Sequence, residues 1–138
     1  MTKTCQIMKA YVEAKDIKGI DFYDERDCCI VRASVHGNVS IRAYIIFDEG
    51  DASLRIRVFD YCKFTEDKKA QMYKLCSQMN GRFRWVKFYV DEEDCTITLE
   101  DDAIVALDSC AEEALALVEF VFGIADEAYP DFMKVIWA

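Results

Sequence analysis

The chain has 138 residues, and its 17 Lys and Arg residues against 26 Asp and Glu residues give a net charge of −9. A hydrophobic content of 53% with a single proline excludes a disordered chain. The negative charge argues against binding to duplex nucleic acid or to an anionic membrane surface, because like charges repel at long range.

A helical pattern opens the chain. Apolar residues such as Cys5, Met8 and Val12 recur at helical spacing and predict a helix over Thr2–Lys15, with Thr2 as its N-cap. The residues that follow, as far as Asp27, are expected to form a connector that packs against the body of the protein.

Between Cys28 and Phe59 the apolar period changes from 3.6 to 2, which predicts three antiparallel strands. Turns are expected at residues 36–38 and 48–51, since Gly and Asn tolerate positive φ. One face of this meander carries aliphatic side chains and would be buried, whereas the other carries polar and aromatic side chains.

Thr65 is expected to cap a second helix that ends at Asn80-Gly81. Alternation resumes over Arg82–Val90, and an acidic turn at residues 91–94 leads to a strand that contains Ile97 and Leu99. This pattern predicts a second hairpin.

Ser109 and Glu112 have the spacing of a capping box and predict the start of a third helix. Its apolar stripe is wide enough for burial on two sides or for a partner surface. Pro130 predicts a break or kink near the end of this helix. The predicted order is α-β-β-β-α-β-β-α, an α+β sandwich in one domain over residues 1–138, with helices on one face of an antiparallel sheet.

Two segments, Arg82–Val90 with its acidic turn and following strand, and Asp126–Lys134, resemble the YbjN-domain family. The fold of that family is similar to the type III secretion chaperones, and the topological resemblance extends over nearly the whole chain. The resemblance implies a bacterial regulator of sensory transduction that binds other proteins. It carries over no catalytic residue.

Seven cysteines occur without a Cys-x-x-Cys spacing, and their odd number does not suit a disulfide framework. Residues 1–12 lack the apolar run of a signal peptide, and Ala114–Ala125 is too short and interrupted for a membrane span. These features predict reduced cysteines that pack in the core of a cytoplasmic protein.

Catalytic and metal sites have little support in the sequence. His36, the only histidine, lies roughly 20 Å along the predicted strand from Cys28 and Cys29, at about 3.3 Å per residue. These two cysteines point to opposite faces of the strand and are not expected to bind zinc together. Another cysteine could still approach His36 in the fold, so a cysteine-dependent enzyme stays an alternative.

The acidic residues are concentrated in the last third, where residues 91–138 contain 14 acidic residues and one basic residue. The turn at residues 91–94 lacks the ligand spacing of a calcium loop. Glu112, Glu119 and Asp126 recur every seven residues and are expected to form the solvated face of the third helix. The alternative is a docking stripe for a basic partner.

The polar face of the sheet is the candidate site. Cations and aromatic rings share this face if the alternation holds: Arg32, Arg42, Tyr44, Arg55, Arg57, Phe59, Trp85, Lys87 and Tyr89. Arg, Tyr and Trp are enriched in protein interfaces. The alternatives are an exposed face on which arginine stems cover the rings, or a site for single-stranded nucleic acid.

The sequence therefore predicts a non-catalytic protein-interaction module with no cofactor and no metal. It would bind a protein partner through this sheet face or through the last helix, and a homodimer is one form that such binding could take. The alternatives are the cysteine-dependent enzyme and a small-molecule sensor with a pocket between sheet and helices.

Overall fold

The computed structural model describes residues 1–138 and contains three α-helices and six β-strands. In chain order the elements are α1 (Lys3–Ala14), β1 (Ile20–Tyr23), β2 (Cys28–Val35), β3 (Val39–Phe47), β4 (Ser53–Lys63), α2 (Lys69–Arg82), β5 (Lys87–Asp91), β6 (Thr96–Ile104) and α3 (Cys110–Ile136). Short 3-10 turns occupy Asp24–Arg26 and Glu66–Lys68.

All strand pairs in the sheet are antiparallel, and the strand order is β1-β2-β3-β4-β6-β5. The predicted α+β architecture is confirmed, with one strand more than the sequence indicated. The segment predicted as a connector contains β1, which pairs with β2 from Ile20 opposite Val31 to Tyr23 opposite Cys28. Burial alternates along its four residues, but two repeats are a weak signal of a period of two.

The three helices cover one face of the sheet, which we call the inner face. Helix α3 crosses β2, β4 and β6, and α1 and α2 pack beside it. A cross-strand row of Cys29, Ile45 and Ile56 is fully buried beneath this layer. The next residue in the row, on β6, is Asp101. An acidic side chain therefore occupies a position on the apolar side of the sheet.

Helices α1 and α3 start where the sequence predicts, whereas α2 starts later, and only α1 has the predicted cap. The Thr2 side chain accepts a hydrogen bond from the Cys5 amide at 3.1 Å, as the N-cap assignment requires. Ser109 precedes α3, but its hydroxyl donates to the Glu113 carboxylate instead of capping the backbone. Thr65 precedes a 3-10 turn, so α2 begins at Lys69.

Pro130 does not end α3, so the predicted break is wrong. The helix continues to Ile136. Proline has no amide hydrogen, and the carbonyl of Asp126 therefore lacks its helical donor. The imidazole Nε2 of His36 donates to that carbonyl at 3.0 Å, and the Tyr61 hydroxyl donates to the carbonyl of Ala125. His36 thus supplies the donor that Pro130 lacks and fastens the β2–β3 turn to α3, and Tyr61 ties β4 to the same turn of the helix.

Candidate functional site

The sheet face opposite the helices, which we call the outer face, presents most of the predicted site residues. Strand register places Tyr44 opposite Arg57, Arg57 opposite Glu100 and Glu100 opposite Lys87, so these four side chains form one row across β3, β4, β6 and β5. Side-chain alternation and register place eight of the nine predicted residues on this face: Arg32, Arg42, Tyr44, Arg55, Arg57, Phe59, Lys87 and Tyr89.

Trp85 is the ninth residue, and its predicted position in a strand is wrong. Strand β5 begins only at Lys87, and Trp85 has a positive φ of 69° that strand geometry excludes. Its ring packs against Phe120 of α3 at a centroid distance of 5.3 Å, and the side chain is 62% exposed. Trp85 therefore lies at the end of β5 beside α3 and does not extend the row on the outer face.

Acidic partners hold three of the outer-face arginines. Arg57 Nη1 lies 2.7 Å from Asp102 Oδ1, and its Nε lies 3.5 Å from Glu100 Oε2. Arg55 Nε lies 2.8 Å from Asp48 Oδ1, and Arg32 pairs with Asp21. Ion pairs at a protein surface, such as those of Arg32 and Arg55, contribute little to stability, at most about 1 kcal/mol each. Their main effect here is to fix the directions of long side chains.

Aromatic rings occupy the middle of the outer face. Tyr44 and Phe59 meet edge to face with centroids 5.5 Å apart. Tyr89 lies opposite Thr98, which is itself only 2% exposed. Phe59 and Tyr89 are 45% and 40% exposed, so their apolar area is in contact with water. We call Tyr44, Phe59 and Tyr89 the aromatic patch.

The cysteines do not have the environment of a nucleophile, because the pKa of all seven thiols is raised. Burial raises the pKa of Cys5 to about 11 and those of Cys62 and Cys76 to about 12. The least buried thiol, Cys95, has a raised pKa because it donates a hydrogen bond to Glu66 at 3.2 Å. A reactive cysteine needs a lowered pKa.

The structure contains neither a cluster of metal ligands nor a helix that could span a membrane. No group of three or more His, Cys, Asp or Glu side chains is arranged to hold a metal ion. None of the helices combines the length and the apolar character that crossing a bilayer requires. His36 is engaged by α3, where its amide donates to Asp126 Oδ1 at 2.7 Å and its ring lies 5.6 Å from that of Tyr129.

Comparison with known proteins identifies the family. The model of the YbjN family, described as "Putative bacterial sensory transduction regulator", matches residues 10–134. The chain belongs to the YbjN family. A solved chain from the HopA1–SchA chaperone–effector complex is similar in fold, with a TM-score of 0.51 over 91% of this chain and 98% of that chain. Sequence identity to it is 10%, and no curated protein matches the sequence.

These comparisons confirm the predicted family and the predicted similarity of the YbjN fold to type III secretion chaperones. One feature of the structure was missed in the sequence. Asp101 alternates in phase with Ile97 and Leu99, which are fully buried, and this phase is the signal that would have placed a carboxylate on the inner face.

Proposed function

We propose that this YbjN-family member is a non-catalytic, cytoplasmic protein-binding module with a regulatory or chaperone-like role. Its binding surface is the outer face, centred on the aromatic patch of Tyr44, Phe59 and Tyr89. The observation that carries the proposal is the exposure of Phe59 and Tyr89, with the half-buried Tyr44 against Phe59, on a sheet face that no helix covers. Burial of Tyr and Phe rings against a partner removes apolar area from water and gives the largest single-residue contributions to interfaces.

The ion pairs around the aromatic patch also support this surface. Arg57 is only 14% exposed at its side chain and is held between Glu100 and Asp102. A side chain that is already fixed loses little conformational entropy when a partner docks against it. Arg42 forms none of the ion pairs, so its guanidinium is free to contact a partner.

The other predicted surface, on α3, exposes fewer large apolar side chains to a partner. Its apolar stripe is used in packing, with Val118, Val121 and Ile124 buried against the body of the protein. The large exposed apolar residue of this region is Trp137, which follows the helix. The geometry therefore favours the outer face over the last helix.

The cysteine environment supports the non-catalytic part of the proposal. Because burial and the Glu66 hydrogen bond raise the thiol pKa values, almost no thiolate is present at neutral pH. A cysteine-dependent enzyme would need a cation or a base next to the thiol to reverse this effect.

A double variant tests the proposed surface. Phe59→Ala with Tyr89→Ala removes two exposed rings, and Tyr73→Ala serves as a matched control because Tyr73 is 43% exposed on α2. Partners captured from native lysate by the wild-type protein are identified, purified and titrated against each variant by calorimetry. We expect at least a tenfold loss of affinity for the double variant, as is typical of central aromatic residues, and no change for the control.

Equal affinity of the wild-type protein and a correctly folded double variant would exclude the aromatic patch as the binding surface. If the captured partner is a second copy of this chain, light scattering gives twice the monomer mass of 16.0 kDa at high concentration. The double variant should then remain monomeric.

A further inference from the structure

An open groove of about 520 Å³ lies where β5 ends and β6 continues alone. Pairing of the two strands stops at Lys87 and Glu100, so residues 101–104 of β6 pair only with β4. Trp85, Lys87, Glu100, Asp101, Asp102 and Leu117 line the groove. Three consecutive acidic residues and one indole ring therefore border the same space, and of the three only Asp101 has its side chain on the inner face.

Asp101 is the unusual member of this groove, because it combines burial with an unpaired oxygen. The residue is 6% exposed, and its Oδ2 has no hydrogen-bond partner. Burial, followed by repulsion from Asp102, raises the pKa of this carboxyl. Buried polar atoms are nearly always hydrogen-bonded, so an unpaired carboxylate oxygen at a groove marks a position where a hydrogen-bond donor is missing.

The cations nearest to Asp101 are engaged elsewhere. Arg57 bonds to Glu100 and Asp102 from the outer face, and Lys87 Nζ donates to the Asn80 carbonyl at 3.1 Å. Arg84, which precedes Trp85 in the chain, lies over the Trp85 ring with its guanidinium carbon 5.7 Å from the ring centroid. That contact shows that the Trp85 ring accepts a guanidinium group, and the exposure of the ring leaves area for another.

We propose that this groove binds the guanidinium group of an arginine side chain from a partner protein, with Asp101 as its carboxylate acceptor and Trp85 as its stacking surface. The inference rests on the proposed protein-binding function and adds the chemistry of the partner. A planar guanidinium can donate two hydrogen bonds to one carboxylate while its face lies against an aromatic ring, which the ammonium group of lysine cannot do. The groove is also large enough to admit an unbranched side chain.

Titration of ¹⁵N-labelled protein with N-acetyl-arginine amide tests the proposal by NMR. N-acetyl-citrulline amide is the matched neutral probe, since it has the same shape without the charge. The indole signal of Trp85 and the amide signals of Asp101 and Asp102 should shift with arginine and saturate, whereas citrulline should leave them unchanged. The indole of Trp137, which is 81% exposed at the far end of the chain, is the internal control.

Two variants locate the binding group. Asp101→Asn keeps the size of the side chain and removes its charge, and it should weaken arginine binding at least tenfold. Asp94→Asn removes one exposed carboxylate from the β5–β6 turn and should leave the binding unchanged. Equal binding by the wild-type protein and the Asp101→Asn variant, or shifts spread over the whole acidic surface, would overturn the proposal.

The result of the arginine titration is independent of the test of the aromatic patch. The Phe59→Ala, Tyr89→Ala double variant retains every residue that lines the groove, so its arginine binding should match that of the wild-type protein. Loss of partner capture with intact arginine binding would identify the aromatic patch as the main surface. Intact partner capture by the Asp101→Asn variant, together with lost arginine binding, would show that the groove does not serve that partner and would refute this inference alone.

Discussion

Replacing His36 with Asn tests how the protein tolerates a proline inside α3. The imidazole donates to the Asp126 carbonyl at 3.0 Å, and Pro130 cannot replace that donor because it has no amide hydrogen. The amide of residue 36 still reaches Asp126 Oδ1 in the variant, and Asn tolerates the positive φ of 47° at this position. The expected loss is therefore that of one hydrogen bond, about 1 kcal/mol in the free energy of unfolding.

The assay is urea unfolding of a double-mutant cycle that combines His36→Asn with Pro130→Ala. Alanine at position 130 restores an amide donor to the Asp126 carbonyl, so His36→Asn should cost less in that background, with a coupling energy of about 0.5 kcal/mol or more. In the wild-type background the melting temperature should fall by about 3 to 5 °C. An equal cost of His36→Asn in both backgrounds would refute the link between His36 and Pro130.

Three further predictions concern buried groups. Asp101→Asn should raise the free energy of unfolding by about 1 kcal/mol at pH 7, because it removes a buried charge whose Oδ2 has no hydrogen-bond partner. Burial raises the pKa of Asp101 in the folded protein. The stability of the wild-type protein therefore falls as the pH rises above about 4, the pKa of Asp in the unfolded chain. Below that pH, urea unfolding should show no gain in stability for the variant. Tyr61→Phe should lose about 1 to 2 kcal/mol, measured in the same way, because the Ala125 carbonyl loses a buried donor. All seven thiols should react slowly with iodoacetamide at pH 7, as followed by mass spectrometry, and a single fast cysteine would contradict the assignment of raised thiol pKa values.

The sequence was sufficient to predict the meander because a half-covered sheet forces a period of two on its residues. The same rule failed at two places, once because a strand is very short and once because the chain leaves the strand. Strand β1 is four residues long, and Trp85 leaves the strand through a positive φ that is rare for a tryptophan. Extending the alternation from Val90 back to Arg82 therefore placed Trp85 on the wrong surface.

The candidate site was predictable as a face but not as a set of contacts. The acidic partners of Arg57 come from β6, which is distant in sequence and adjacent in the sheet. The order β4-β6-β5 results from the packing of a hairpin against a meander, and local periodicity does not encode it. The face on which Tyr44, Phe59 and Tyr89 lie follows from alternation alone, which the sequence contained, whereas their neighbourhood across strands also depends on that strand order.

Arg57 couples the two proposed binding surfaces, because the tripeptide Glu100-Asp101-Asp102 faces both. Glu100 and Asp102 point outward to Arg57, whereas Asp101 points inward towards α3. Arg57→Gln would release two carboxylates beside the groove and make its potential more negative. We expect this variant to bind N-acetyl-arginine amide several-fold more tightly, and the gain should shrink as salt screens the added charge. Unchanged binding in low salt would show that the charges on the two faces act independently.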